Sequence, residues 1–80
     1  MKKEEVIAKV NGFLVEEFEL DEARLIPDAN LRDDLEIESL DFVDIAVEIE
    51  KKFGFKIKGE EMINVKTLGD LYNYIILKIN

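Results

Sequence analysis

Several residue types on which enzymes and binding proteins commonly depend are missing from this 80-residue chain. It contains no cysteine and no histidine. Without cysteine there is neither a disulfide framework nor thiolate chemistry, and without histidine the commonest catalytic base is missing. A serine nucleophile needs a base within hydrogen-bond reach, usually a histidine. The composition therefore argues against nucleophilic catalysis by the chain itself.

Long apolar runs and positive charge are also scarce. No stretch approaches the roughly 18 apolar residues of a membrane span, and the N-terminal segment MKKEEVIAKV is too polar and acidic for a signal peptide. The 19 acidic and 11 basic residues give a net charge of -8. Such a charge disfavours nucleic acid and anionic lipid and favours partners with basic surfaces. We therefore expect a cytoplasmic protein that neither inserts into membranes nor binds nucleic acid.

The remaining composition is typical of one small folded domain. The chain is 48% hydrophobic and 38% charged, which indicates a globular rather than a disordered protein. A chain of this length has room for one modest core. We expect a single domain over residues 1–80, present as a monomer.

Apolar residues at helical spacing predict three longer helices. The first covers about 3–17, with apolar positions at 6, 10, 13 and 14. The second runs from Ser39 to about Phe53 and is ended by Gly54. Thr67 and Asp70 form a capping-box-like pair that opens the last helix. The core face of that helix consists of Leu68, Leu71, Ile75 and Ile79.

The segments between these helices complete the predicted architecture. GEEMI predicts one further helical turn, and no convincing strand pattern is present. A long connection from about 18 to 37 is expected to be anchored to the core by Leu31 and Leu35. The predicted fold class is all-α: a small bundle of three longer helices plus one short helix, with a long first loop.

The second helix has three distinct faces when its residues are spaced at about 100°. Its core face consists of Phe42, Ile45, Ala46, Ile49 and Phe53. Its acidic face consists of Asp41, Asp44 and Glu48. A narrower second apolar stripe, hereafter the apolar stripe, consists of Leu40, Val43 and Val47. Ser39 falls between the core face and the apolar stripe, so its hydroxyl is expected at the rim of the core.

Ser39 is the only serine in the chain and has two interpretations. A serine at a helix start is usually a cap, and the apolar stripe could equally be core beneath the long loop. The alternative is a reactive hydroxyl. Since no base is placed beside it by the sequence, any reaction at Ser39 would be catalysed by another enzyme.

A metal site is not predicted. Asp33, Asp34, Glu36 and Glu38 are close in sequence, but they lack the spacing of a calcium loop and its glycine.

The segments DLEIESLDFVDIAVEIEKKFGFKI and VKTLGDLYNYI resemble the acyl carrier protein family. The family carries a serine in an Asp-Ser-Leu motif at the start of its second helix. The positions that match the family's pattern are Asp34, Leu35, Ser39, Leu40, Asp41, Val43, Asp44, Glu50 and Phe53. The resemblance implies an acyl-carrier-like fold and a non-enzymatic protein that carries acyl intermediates as thioesters between enzymes of fatty-acid, lipid or polyketide biosynthesis.

The resemblance also implies a cofactor, partners and site residues. A phosphopantetheinyl transferase would attach 4′-phosphopantetheine from coenzyme A to Ser39. Acyl-transferring or condensing enzymes with basic docking surfaces would bind the second helix. The residues expected to contact partners are Glu38, Leu40, Asp41, Val43, Asp44, Val47 and Glu48. Phe42 and Ala46 are expected to line the acyl cavity.

The chain departs from the family's pattern around the serine. Glu36 replaces the usual glycine, Ile37 is bulky, and Glu38 replaces the usual aspartate before the serine. Lys51 and Lys52 stand where many members carry acids. These departures favour a specialised carrier for a lipid, polyketide or aminoacyl pathway, and a D-alanyl carrier protein stays open. The alternative of a different class is a cofactor-free acidic helical adaptor that binds basic proteins.

Overall fold

The computed structural model of the chain describes residues 2–79 and is built from α-helices. The elements are α1 (Lys3–Phe18), a 3₁₀ turn (Glu22–Arg24), α2 (Ser39–Phe53), α3 (Gly59–Met62) and α4 (Leu68–Ile79). The predicted all-α class, with three longer helices and one short one, is confirmed. Within 2–79 the only β-type pairing is a single bridge between Asn30 and Thr67. None of the helices in this range is long and apolar enough to cross a membrane.

The helix ends follow local signals in the sequence. Gly54 ends α2 in a left-handed conformation (φ 77°), and its N–H donates to the Glu50 carbonyl at 3.0 Å. Glycine adopts this conformation without the steric cost that a Cβ would bring. The preceding Lys51 and Lys52 lie in the last turn of α2, where cations interact favourably with the helix dipole.

The core lies where α1 packs against both α2 and α4. Lys9 of α1 lies over the ring of Phe53, 5.7 Å from its centroid, while Phe18 shares a surface groove with Val47. Because the middle of α1 lies near the end of α2 and the end of α1 lies near the middle of α2, the two helices run in opposite directions. The side chains buried in the three longer helices are Val6, Val10, Phe13, Leu14, Ile45, Ile49, Leu68, Leu71, Tyr72 and Ile75. Phe42, Ala46, Phe53 and Ile79, which the pattern assigned to core faces or the acyl cavity, are only half-buried.

The long first loop is fixed to the start of α4. The N–H of Leu31 donates to the Lys66 carbonyl, and the N–H of Leu68 donates to the Ala29 carbonyl, both at 2.9 Å. Leu31 and Leu35 are buried as predicted. Three further loop side chains, which the sequence pattern did not select, are also buried: Leu25, Ala29 and Ile37. The connection is therefore part of the core and not a loose linker.

A capping box at the start of α4 confirms the predicted Thr67–Asp70 pair. The Asp70 carboxylate accepts hydrogen bonds from the N–H groups of Thr67 (3.1 Å) and Lys66 (3.2 Å), and the Thr67 hydroxyl accepts one from the Asp70 N–H (3.1 Å). The hydrogen bond from the Thr67 N–H, followed by that from Lys66, lowers the pKa of Asp70 below its ordinary value of 3.8.

Replacing Asp70 with alanine is expected to destabilise the protein in a pH-dependent way. A lowered pKa in the folded state stabilises the protein above the ordinary pKa, and this contribution is lost as the pH falls through the folded-state pKa. We expect Asp70→Ala to lower the free energy of unfolding at pH 7 by about 1 kcal/mol, as for other caps. Urea unfolding of both proteins across the acidic range checks this. Asp28→Ala, which changes an exposed loop aspartate, is the control. An equal loss at pH 7 and in strong acid would contradict the prediction.

Candidate functional site

Ser39 is the first residue of α2, and its side chain is exposed. Glu38 is the N-cap residue: its N–H donates to the Asp41 carboxylate at 3.0 Å, and its carbonyl accepts from the Asp41 N–H at 3.0 Å. Within residues 2–79 the Ser39 hydroxyl has no hydrogen-bond partner on the protein. Because Glu38 and Asp41 cap the start of α2, the side chain of Ser39 does not act as its cap.

The loop before Ser39 is closed by its own polar groups. The Asp34 carboxylate accepts from the Asn30 N–H at 2.7 Å, and the Asn30 side chain accepts from the N–H groups of Arg32 (3.0 Å) and Asp33 (2.8 Å). The guanidinium of Arg24 donates to the Asp34 carbonyl. The carboxylate of Asp34, one of the four acids considered for a metal site, therefore stabilises the turn. In the described part of the chain, no group of three or more acidic side chains is arranged to hold a metal ion.

Glu36 has a left-handed backbone, with φ 56°. A residue with a Cβ pays about 1–2 kcal/mol for this conformation, whereas glycine does not. The backbone at position 36 therefore favours glycine, which is the residue that the pattern of the acyl carrier protein family has at this position. Leu35 and Ile37, on either side of Glu36, are both buried.

We expect Glu36→Gly to stabilise the protein. The relief of left-handed strain, about 1–2 kcal/mol, exceeds the entropy that glycine adds to the unfolded chain, about 0.4–1 kcal/mol. The net gain in the free energy of unfolding should be a few tenths to about 1 kcal/mol, measured by urea unfolding. Glu38→Gly is the matched control, because Glu38 is exposed and extended (φ -91°). If both variants lose stability alike, the strain at Glu36 is negligible.

A cleft of about 590 Å³ opens beside Ser39, between the first loop, α2 and α3. Its apolar lining comes from Leu31, Phe42, Met62, Ile63 and Val65. Its polar lining comes from Asn30, Arg32, Asp33, Ser39 and Lys66, and the backbone of Gly59 completes the wall. This Ser39 cleft brings together Ser39 and Phe42, whereas Ala46 is not part of its lining.

The α3 side of the Ser39 cleft is held by contacts with the end of α4. The Lys78 ammonium lies 3.0 Å from the Glu61 carboxylate, and its hydrogen bond lowers the pKa of Glu61. Phe55, just before α3, meets Tyr74 edge-on with ring centroids 6.2 Å apart. Met62 and Ile63 are cleft residues that the sequence analysis did not select, because helical spacing in so short a segment gives no face. Ile63 is an exposed large apolar side chain (74%).

The apolar stripe lies on the surface and not under the loop. Leu40 is 80% exposed, Val43 61% and Val47 42%. Such exposure of three neighbouring large apolar side chains is typical of an interaction surface. The alternative that the apolar stripe is core is therefore wrong.

Acidic side chains accompany the apolar stripe. Asp44 is exposed, and Asp41 and Glu48 are half-buried. A groove of about 270 Å³ beside Val47 is lined by Glu17, Phe18, Asp44, Glu48 and Lys51. The surrounding charge is strongly uneven: residues 16–50 hold 14 of the 19 acidic residues and two of the 11 basic ones. This stretch of the sequence is thus more negative than the chain as a whole.

These features suit a covalent anionic group at Ser39. The hydroxyl is exposed and has no hydrogen-bond partner within residues 2–79, and apolar side chains line one part of the Ser39 cleft beside it. A phosphate ester at the first residue of α2 would face the positive end of the helix dipole. A flexible arm with an apolar cargo could therefore attach at this serine and lie in the cleft. Within residues 2–79 no side chain hydrogen bonds to the Ser39 hydroxyl, as a base that activates a serine nucleophile would.

Comparison with known proteins agrees with the resemblance described from the sequence. The family described as "Phosphopantetheine attachment site" matches residues 8–75. The acyl carrier protein of Thermotoga maritima is 35% identical over 77 residues, covering 96% of this chain and 95% of that protein. The acyl carrier protein of Myxococcus xanthus is 41% identical over 73 residues, covering 91% and 92%. The solution structure of a candidate acyl carrier protein from Anaplasma phagocytophilum superposes with a TM-score of 0.84 at 30% identity, covering all of this chain and 94% of that one.

The sequence resemblance, the helical fold and these matches agree over nearly the whole chain. The chain therefore belongs to the acyl carrier protein family, and its cofactor is a covalently attached 4′-phosphopantetheine.

Proposed function

We propose that this protein carries acyl or similar intermediates on a 4′-phosphopantetheine arm attached to Ser39, and passes them between biosynthetic enzymes. The observation that carries the proposal is the position of Ser39: an exposed hydroxyl at the start of α2, without a hydrogen-bond partner within residues 2–79, at the edge of a cleft with apolar and polar walls. When bound, the group supplies a thiol on which cargo is held as a thioester.

The residues around Ser39 have distinct roles in this proposal. Phe42, Met62 and Ile63 give an apolar wall that shelters a bound acyl chain from water, and Ala46 lies behind Phe42 on the same helix. Lys66 and Arg32 provide positive charge in the lining of the Ser39 cleft, where it can balance a phosphodiester. The chain itself is not an enzyme in this proposal, in keeping with the family, whose members are carriers.

Partners are expected to dock on α2. Acyl carrier proteins work with phosphopantetheinyl transferases and acyl-handling enzymes, and here we assign the contact to Glu38, Asp41, Asp44, Glu48 and the apolar stripe. Basic enzyme surfaces are attracted by the negative charge around Ser39, which speeds encounter without requiring tight binding. A carrier has to dissociate after each transfer, so such docking suits its task.

The finer assignment is a specialised carrier for a lipid, polyketide or aminoacyl pathway. Lys51 and Lys52 make the far end of α2 positive, so a partner suited to this helix has basic groups near Ser39 and acidic groups about 18 Å away, at 1.5 Å per residue. We further propose that the whole chain, 1–80, acts as one monomeric domain in the cytoplasm, where coenzyme A is used.

The intact mass of the protein tests the proposal. The apo protein is incubated with coenzyme A and a broad-specificity phosphopantetheinyl transferase, and we expect a single addition of one phosphopantetheine. The alternative adaptor function predicts no addition. A wild-type protein that stays unmodified with several transferases, while another acyl carrier protein is modified in the same tubes, would overturn the proposal.

A further inference from the structure

We propose that Ile37 is a positioning residue for Ser39, and that it sets the rate at which the transferase modifies that serine. This inference rests on the proposed function, because it concerns the presentation of the same hydroxyl. It is supported by a series of contacts that connects Ile37, two positions before the serine, to the wall of the Ser39 cleft.

The first contact is the burial of Ile37. Its side chain is only 2% exposed although its neighbours Glu36 and Glu38 are both exposed. The left-handed backbone of Glu36 turns the chain, so that the side chains of Leu35 and Ile37 both enter the core. Ile37 therefore fixes the loop at the last point before α2 where the chain meets the core.

The second contact is a pair of backbone hydrogen bonds. The Ile37 N–H donates to the Leu31 carbonyl at 2.9 Å, and the Leu31 N–H donates to the Lys66 carbonyl at 2.9 Å. Leu31 and Lys66 both line the Ser39 cleft. Ile37 is thus connected to that wall through two hydrogen bonds.

Only Glu38 separates Ile37 from Ser39, and its backbone is itself held by Asp41 at 3.0 Å. Two peptide units span at most about 7 Å between Cα atoms, which leaves little slack between the buried anchor and the serine. The position of the hydroxyl relative to the cleft is therefore fixed from both sides: by Ile37 in the loop and by the capped start of α2.

Positioning matters because the transfer joins two large molecules at one atom. In the transferase reaction the Ser39 oxygen forms a bond to the phosphorus of coenzyme A that bears the pantetheine. The phosphoanhydride bond breaks, adenosine 3′,5′-bisphosphate leaves, and the serine proton passes to a base of the transferase. A misplacement of about 1 Å in such a step can lower the rate by up to about 100-fold.

The experiment compares transferase kinetics of Ile37→Ala and Ile37→Val with those of Ile75→Ala and Ile75→Val. Ile75 is a fully buried isoleucine of α4 and does not line the Ser39 cleft, so its variants report the effect of a truncated core alone. All proteins are assayed at a temperature where circular dichroism shows them folded. We expect Ile37→Ala to lower kcat about tenfold while KM changes less than twofold, because the docking residues on α2 are unchanged.

The valine variant provides the rescue. Ile37→Val should restore most of the wild-type kcat, and both Ile75 variants should keep it. Equal kcat values for Ile37→Ala and wild type, or equal losses at positions 37 and 75, would overturn the inference. If Ile37→Ala does not fold, the comparison of Ile37→Val with Ile75→Val decides: a small loss of kcat, by less than half, is expected at position 37 and no loss at position 75. A wild-type protein that is not modified at all would instead overturn the proposed function.

Discussion

Ser39→Ala is expected to abolish attachment of the phosphopantetheine arm and to leave the fold intact. Ser39 is the only serine in the chain, so a serine-linked group has no other site. Its hydroxyl makes no hydrogen bond within the described residues, so its removal should change the free energy of unfolding by no more than about 0.5 kcal/mol, as for other surface substitutions. Intact mass after incubation with transferase and coenzyme A, and urea unfolding, measure the two effects.

The control is the one threonine of the chain. The Thr67 hydroxyl accepts a hydrogen bond from the Asp70 N–H at 3.1 Å, so Thr67→Val should cost about 1 kcal/mol of stability and leave modification complete. The two variants should therefore differ in opposite ways: Ser39→Ala should lose attachment and keep its stability, whereas Thr67→Val should lose stability and keep attachment. An adduct that persists on Ser39→Ala would show that the arm is attached elsewhere.

The helices and the α2 surface were predictable from the sequence because they depend on local information. The faces of α2 follow from helical geometry alone, so the grouping of Leu40, Val43 and Val47 in one stripe could be derived without knowledge of their neighbours. Their exposure could not, because the sequence left open that the stripe packs under the long loop. The start of α4 follows from the Thr67–Asp70 pair, which is contained within four residues. Gly54 similarly fixes the end of α2 through its own backbone conformation.

The first loop and the Ser39 cleft were less predictable because they depend on contacts between distant residues. The hydrogen bond from Leu31 to Lys66 joins positions 35 apart in the sequence, and no local pattern encodes it. The burial of Ala29 and Ile37 follows from that attachment. Met62 and Ile63 line the Ser39 cleft only because α3 is held against the end of α4. Ala46 was expected to line the acyl cavity because of its position on α2. The Ser39 cleft instead opens one turn earlier, at Phe42.

The exposed face of α2 combines two features that would be unfavourable for an isolated soluble protein. Large apolar side chains are left in water, and like charges are gathered around them. Burial of the apolar stripe contributes about 25 cal/mol per Å² of apolar area, and basic partner groups would neutralise the acids beside it. In the proposed function both features serve repeated, transient contact with other proteins, whereas neither contributes to the stability of this chain.

Reversing charge on this face is expected to slow modification strongly. We expect the double variant Asp44→Lys, Glu48→Lys to lower kcat/KM for a transferase with a basic docking surface by about tenfold at low salt, because electrostatic steering of association is lost. The difference from wild type should shrink as ionic strength rises, since added salt screens exposed charges over about 10 Å at 0.1 M. The free energy of unfolding should change by no more than about 0.5 kcal/mol for the exposed Asp44 and by no more than about 1 kcal/mol for the half-buried Glu48.

The matched control is Glu4→Lys, Glu5→Lys, which makes the same change in net charge in the first turn of α1. Because α1 and α2 are antiparallel, this turn lies towards the end of α2 that is far from Ser39. If the control slows modification as much as the α2 variant, net charge rather than the α2 face governs encounter.

Val43→Asp tests the apolar stripe. Because Val43 is 61% exposed, the variant should fold normally. It should still raise KM several-fold, because docking would lose apolar contact and bury a carboxylate. An unchanged KM for Val43→Asp would show that partners bind this protein without using the apolar stripe.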